Sequence, residues 1–98
     1  MRMFGVESLA VEHYGPEHQK RKAIEEMGEL LTALAREQDA RANTEQVITE
    51  IADVIIMMRQ LSIIYGIADV NNEIECKERR LLKRMEKETK NLHKSFGK

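Results

Sequence analysis

Tryptophan is missing from this 98-residue chain, proline and cysteine occur once each, and aromatic residues make up 4 % of it. One proline and five glycines supply little of the turn chemistry that punctuates sheets, so long helices are the expectation. The single cysteine, Cys76, has no partner for an intrachain disulfide, and no Cys and His pairs stand at zinc spacing. This points to a plain helical cysteine in a reducing cytoplasm. No apolar run reaches membrane-spanning length, for the longest, Val54 to Met58, stops at Arg59. The start, Met1-Arg2-Met3-Phe4-Gly5, leads into Glu7 and Glu12, which is not the pattern of a secretory signal. An excess of one charge is lacking too. Sixteen Lys and Arg stand against seventeen Asp and Glu, so no global field draws the chain to nucleic acid or membrane, and neither is an expected partner.

What the chain does have is 42 % hydrophobic and 34 % charged residues, the balance of amphipathic helices. It is one small domain, residues 1–98, and a chain of this size buries only about two-thirds of the surface its unfolded form exposes. A homodimer or homotetramer is therefore expected to complete the core. Gly15 and Pro16 are the clearest punctuation and close a short helix over about Val6 to Tyr14. From Glu17 to about Glu37, the residues Ala23, Ile24, Met27, Leu30, Leu31 and Leu34 recur at helical spacing and mark a second helix. Gly28 inside it costs about 1 kcal/mol relative to Ala, which suggests close backbone packing there. The polar stretch Gln38 to Ala42 reads as a loop, and Asn43 or Thr44 as the cap of a third helix that stops at Tyr65-Gly66. That helix is apolar almost all round, so burial on several sides is expected. Asp69 is expected to cap a fourth helix, from about Val70 to beyond Met85, with a charged tail fraying from about residue 86. The fold class that results is all-α, an antiparallel helical bundle of about four helices.

Two groups of acids interrupt the apolar pattern. In Glu25-Glu26-Met27-Gly28-Glu29 the spacing puts Glu26 and Glu29 on one helix face, within about 5–6 Å, where like charges repel. In Glu50-Ile51-Ala52-Asp53 the same spacing recurs among Val47, Ile51, Val54 and Met57, residues of core type. About nine residues separate the first pair from the end of its helix, and about seven and a half lead into the second, a mismatch of only about 3 Å. An antiparallel hairpin can therefore bring Glu26, Glu29, Glu50 and Asp53 to one level. Four converging carboxylates do not all stay ionised in a partly buried site unless cations neutralise them. Ligation by oxygen alone selects hard ions, Mg²⁺ first and Mn²⁺ as a substitute. The plain alternative is that the first trio is solvated and that Glu50 and Asp53 pair with Arg or Lys. An acidic pair in the most apolar helix favours the metal.

The pattern E-E-x-x-E, a spacer of twenty residues and E-x-x-D resembles the MazG-like, all-α nucleoside triphosphate pyrophosphohydrolases. The resemblance runs from Tyr14-Gly15 and Gln19 through Ala23-Ile24-Glu25-Glu26, Glu29-Leu30, Glu50-Ile51-Ala52-Asp53-Val54 and Gln60-Leu61 to Lys77, Arg80-Leu81 and Arg84. It implies a helical fold assembled as dimers or tetramers, Mg²⁺ dependence, and cleavage of a nucleoside triphosphate into monophosphate and pyrophosphate. It carries the metal role to Glu26, Glu29, Glu50 and Asp53. Glu25 becomes an outer carboxylate that orients or deprotonates water, with Glu29 the other candidate base.

Lys77, Arg80 and Arg84 stand three and four apart on the fourth helix beside Val70, Ile74 and Leu81, a strip expected to face inward or toward a groove. There they complement phosphates that metals only partly neutralise; taken alone, they read equally as snorkelling surface residues. Gln19, two turns before Glu26, is expected at the rim of the site, where it reads a base or ribose or is simply surface. Core packing is expected for Phe4, Tyr14 and Tyr65, and surface positions for His13, His18 and His93.

Two other classes compete with metal-assisted hydrolysis. A ferritin-like di-iron bundle also turns carboxylates inward but requires Glu-x-x-His on two helices, and that spacing does not occur here. The alternative function is a non-enzymatic helical interaction or nucleic-acid-binding protein using the basic fourth helix. An acidic site facing the same groove would repel phosphate unless metal were bound.

Overall fold

A computed structural model describes residues 5–38 and 44–96. They form four helices, α1 (Gly5–Tyr14), α2 (Pro16–Gln38), α3 (Thr44–Tyr65) and α4 (Ile67–Phe96), so the fold is all-α. Gly15 has a φ of 89°, the left-handed conformation that glycine adopts without strain. Its N–H donates to Val11 O at 2.8 Å, closing α1, and its carbonyl accepts from the Gln19 N–H at 3.1 Å, opening α2. Pro16 follows at the first helical position, where a missing N–H costs nothing. Gly66, with φ of 114°, ends α3 by donating to Ser62 O at 2.8 Å.

Helix α4 departs from expectation at both ends. It starts at Ile67, so Asp69 lies within the first turn and favours the helix dipole there instead of capping it. It also continues through residue 86 to Phe96. Glu86, Lys87, Glu88 and Lys90 are strong helix formers with opposite charges one turn apart, and the Thr89 hydroxyl donates to Met85 O at 2.9 Å. Phe4, the expected loop at 39–42 and a cap at Asn43 lie outside the described residues.

Helices α1 to α3 form one unit and α4 another. Within the first, α2 and α3 share the largest interface, and α1 packs on both. Gln19 meets Gln60 while Glu26 meets Glu50 and Asp53, which fixes α2 and α3 as antiparallel. Gln19 Nε2 donates to Gln60 Oε1 at 2.7 Å, and Gln60 Nε2 in turn reaches Met57 Sδ at 3.5 Å. His18 Nδ1 donates to Gln19 Oε1 at 2.6 Å. Gln19, expected at the rim of a site, is thus 4 % exposed and held on both sides of its carboxamide. Its face of α2 turns onto α3, where a buried amide needs the matching amide that Gln60 offers. Arg59 Nη1 ties α3 to the buried Glu7 of α1 at 3.3 Å.

The hydrophobic core is small. Among the described residues its buried members are Ala23, Ala33, Val47 and Met57, while Ile24, Leu31 and Ile48 stay 67 %, 71 % and 60 % exposed. Ile51, Ile55 and Ile56 are exposed as well, so α3 is covered on fewer sides than its composition suggested. Tyr14 and Tyr65 also lie outside the core: Tyr14 stacks on His18, and Lys20 Nζ sits 4.9 Å from the centre of the Tyr65 ring. Helix α4, taken by itself, exposes Ile74, Leu81, Leu82 and Met85. No single described helix is long and apolar enough to cross a membrane.

Candidate metal centre

The antiparallel register and the three-residue spacing of the acids do their work at the middle of the α2–α3 hairpin. Carboxylate oxygens of Glu25, Glu26 and Glu29 lie within 4.8 Å of one another, and so do those of Glu26, Glu50 and Asp53. The acids singled out in the sequence therefore arrive as two overlapping triads, with Glu26 common to both. Glu26 is the most deeply placed, 8 % exposed, and Glu50 and Asp53 are half-buried, whereas Glu25 and Glu29 open to solvent.

Two oxygens in this cluster lack a hydrogen-bond donor. Glu26 Oε2 and Glu50 Oε2 are buried, and no described residue donates to either. Buried carboxylate oxygens left unsatisfied are costly, and they are open to a proton or a cation. Glu29 shows the same crowding. The charge on Glu26 is the largest influence raising its pKa above the ordinary 4.5, followed by a hydrogen bond with Glu26, some desolvation, and the charges of Glu50 and Glu25. A donor set made of oxygen alone, with two oxygens unsatisfied, fits a hard divalent ion.

Two cavities flank the cluster. A cleft of about 590 Å³ is bordered by Glu25, Gly28, Glu29, Arg36, Gln46 and Glu50, among others. A smaller hollow of about 230 Å³ is lined by His18, Arg21, Lys22 and Glu25. Gly28 does not mark close packing, as its position in the helix suggested. A Cβ added there meets nothing within 4 Å, because this side of α2 faces the cleft and not another helix.

Lys77, Arg80 and Arg84 are exposed on α4, in the second unit, and the acidic centre is built from α2 and α3 without them. The structure adds residues that the sequence reading passed over. Lys22 lies one helical turn ahead of Glu25 and Glu26, Gln46 one turn ahead of Glu50, and Arg36 two turns beyond Glu29. Helical spacing from the acids, applied in both directions, finds all three. No family model, curated protein or solved structure matches this chain.

Proposed function

We propose that this chain is a metal-dependent nucleoside triphosphate pyrophosphohydrolase of the MazG-like kind, releasing a monophosphate and pyrophosphate from ribo- or deoxynucleoside triphosphates. The observation that carries this reading is the pair of buried, donor-less oxygens on Glu26 and Glu50 inside overlapping carboxylate triads. Glu26, Glu29, Glu50 and Asp53 would hold Mg²⁺, with Mn²⁺ as a substitute. Such an ion would supply Lewis-acid chemistry for phosphoryl oxygens and would make a water easier to deprotonate.

The protein's own groups do the rest. Glu29, whose affinity for a proton is raised, suits the removal of a proton from the attacking water, and Glu25 at the border of both cavities is the second candidate. One water adds across one phosphoanhydride bond, and its proton passes to that carboxylate. The larger cleft falls within the volume range of small-molecule sites and offers Arg36 and Gln46 as polar contacts for a nucleoside. Gln19 acts by positioning, since its carboxamide is committed to Gln60 and His18. Lys77, Arg80 and Arg84 serve the departing pyrophosphate in an assembled homodimer or homotetramer, a state favoured by the exposed Ile24, Leu31 and Ile48.

The deciding experiment incubates the chain with a panel of ribo- and deoxynucleoside triphosphates in Mg²⁺ and follows pyrophosphate. Release that stops in EDTA is expected; undiminished release in excess chelator, or none from any triphosphate, defeats the proposal. One observation favours the other reading, because α4 exposes Leu81, Leu82 and Met85 together with its cations. Nucleic acid retained at moderate salt, with no nucleotide turned over, would decide for a binding protein.

A further inference from the structure

Lys22 stands where the acidic centre needs a cation. Its Nζ lies 3.3 Å from Glu26 Oε1 and 3.6 Å from Glu25 Oε1. No other described residue forms an ion pair with the acids of the two triads. A lysine one turn ahead of a glutamate is the weaker of the two orders, set against the helix dipole. The ammonium instead answers a local excess of negative charge, and with its side chain 42 % exposed it is free to leave. Its pKa is raised, first by the hydrogen bond to Glu26 and then by the charges of Glu25 and Glu26.

On its other side Lys22 lines the small hollow with His18, Arg21 and Glu25. At about 230 Å³ the hollow is smaller than the roughly 300 Å³ at which typical small-molecule sites begin. Arg21 is exposed there and forms no ion pair with any described residue. Once Lys22 is released, two cations border this space, and its size and charge match phosphate groups better than a base. Glu25 borders both cavities, so the hollow adjoins the acidic centre.

We infer that Lys22 is a tethered counter-ion: it neutralises Glu25 and Glu26 in the metal-free chain, yields Glu26 to a divalent cation, and then joins Arg21 in binding the phosphates of an oligophosphate. This rests on the metal reading of the acidic centre. A divalent ion would outcompete a single ammonium for the Glu26 carboxylate. The freed Nζ, on a flexible four-carbon stem, then reaches phosphate oxygens in the adjoining hollow. Metal and phosphate therefore bind cooperatively, each raising the affinity for the other.

The test measures two affinities in the full chain without turnover: Mn²⁺ alone, by electron paramagnetic resonance of the free ion, and inorganic pyrophosphate at saturating Mn²⁺, by calorimetry. Lys22→Met should bind Mn²⁺ about tenfold more tightly than wild type, because a competing charge has gone. It should bind pyrophosphate about tenfold more weakly, because a phosphate ligand has gone. Arg21→Met should weaken pyrophosphate binding and leave Mn²⁺ affinity as it was, while Lys22→Arg should keep both close to wild type. Lys22→Met with unchanged or weaker Mn²⁺ affinity, or with full pyrophosphate affinity, overturns the inference while the metal site stands. A wild-type chain that binds no Mn²⁺ overturns the metal reading and this inference together.

Discussion

Glu26 and Glu50 come from opposite helices of one hairpin, bring carboxylate oxygens within 4.8 Å of each other, and each bury an oxygen to which no described residue donates. Without a cation this arrangement opposes folding. Unsatisfied carboxylate oxygens held in a buried position are what a ligand site looks like when function and stability pull apart.

Asp53→Asn keeps the side chain's shape and removes one charge from the second triad. At about 5 Å and an effective dielectric near 20, two carboxylates repel by ~3 kcal/mol. In chelator the variant should therefore melt at or above the wild-type temperature, while Mn²⁺ binding and triphosphate turnover collapse. A marked fall in melting temperature with turnover retained would instead make Asp53 an ion-pair partner whose loss strands a cation.

Glu29 gives the metal-free chain a pH dependence of definite sign. Its folded pKa is raised above 4.5, so the folded state holds this proton more tightly than the unfolded one. The stability contributed is complete below 4.5 and is lost as pH rises through the raised folded value. Glu29→Gln stays neutral throughout. In EDTA its melting temperature should match wild type at acid pH and exceed it toward neutrality, and Mn²⁺ should reverse the difference. A variant less stable than wild type near neutral pH would show that Glu29 is not repelled by Glu26.

Gly28→Ala separates helix propensity from occupancy of the cleft. An exposed helical glycine costs about 1 kcal/mol relative to alanine, and nothing stands in the way of the new methyl group, so the variant should be more stable by about that amount. If the nucleoside lies in the cleft beside Gly28, KM should rise as stability rises. Thermal melts with steady-state kinetics read both, and an unchanged KM would place the nucleoside elsewhere.

The exposed Ile24, Leu31 and Ile48 set an expectation for assembly. Sedimentation at micromolar concentration should show a dimer or tetramer, and Leu31→Glu should shift it toward monomer. A compact wild-type monomer would contradict this.

The breaks between α1 and α2 and between α3 and α4 were legible because their signals are local: Gly15, Pro16 and Gly66 act through their own backbone preferences. The meeting of Glu26 with Glu50 and Asp53 was legible too, since helical spacing and two helix lengths determine it. What escaped depends on which face turns toward a neighbour. Gln19 has the same composition-level signature at a rim as in a buried amide pair, and only the tertiary partner Gln60 separates the two. Lys22 carries no signal of its own in the sequence because its meaning comes from Glu25 and Glu26 a turn away. Gly28 proved to border empty space, and the reach of α4 to Phe96 was hidden because charged helix formers resemble a fraying tail.

The contact between Gln19 and Gln60 gives the α2–α3 hairpin an unequal dynamic character. Seven residues, or about 10 Å of helix, separate this attractive clasp from the repulsive cluster around Glu26. One end is pinned and the other is sprung. Breathing of the metal-free hairpin is therefore expected to begin among the acids, and hydrogen exchange should be faster for amides around Glu26 to Glu29 and Glu50 to Asp53 than for those around Gln19 and Gln60. A cation bound among the acids would act as a damper as well as a reagent, because it removes the repulsion that favours opening there.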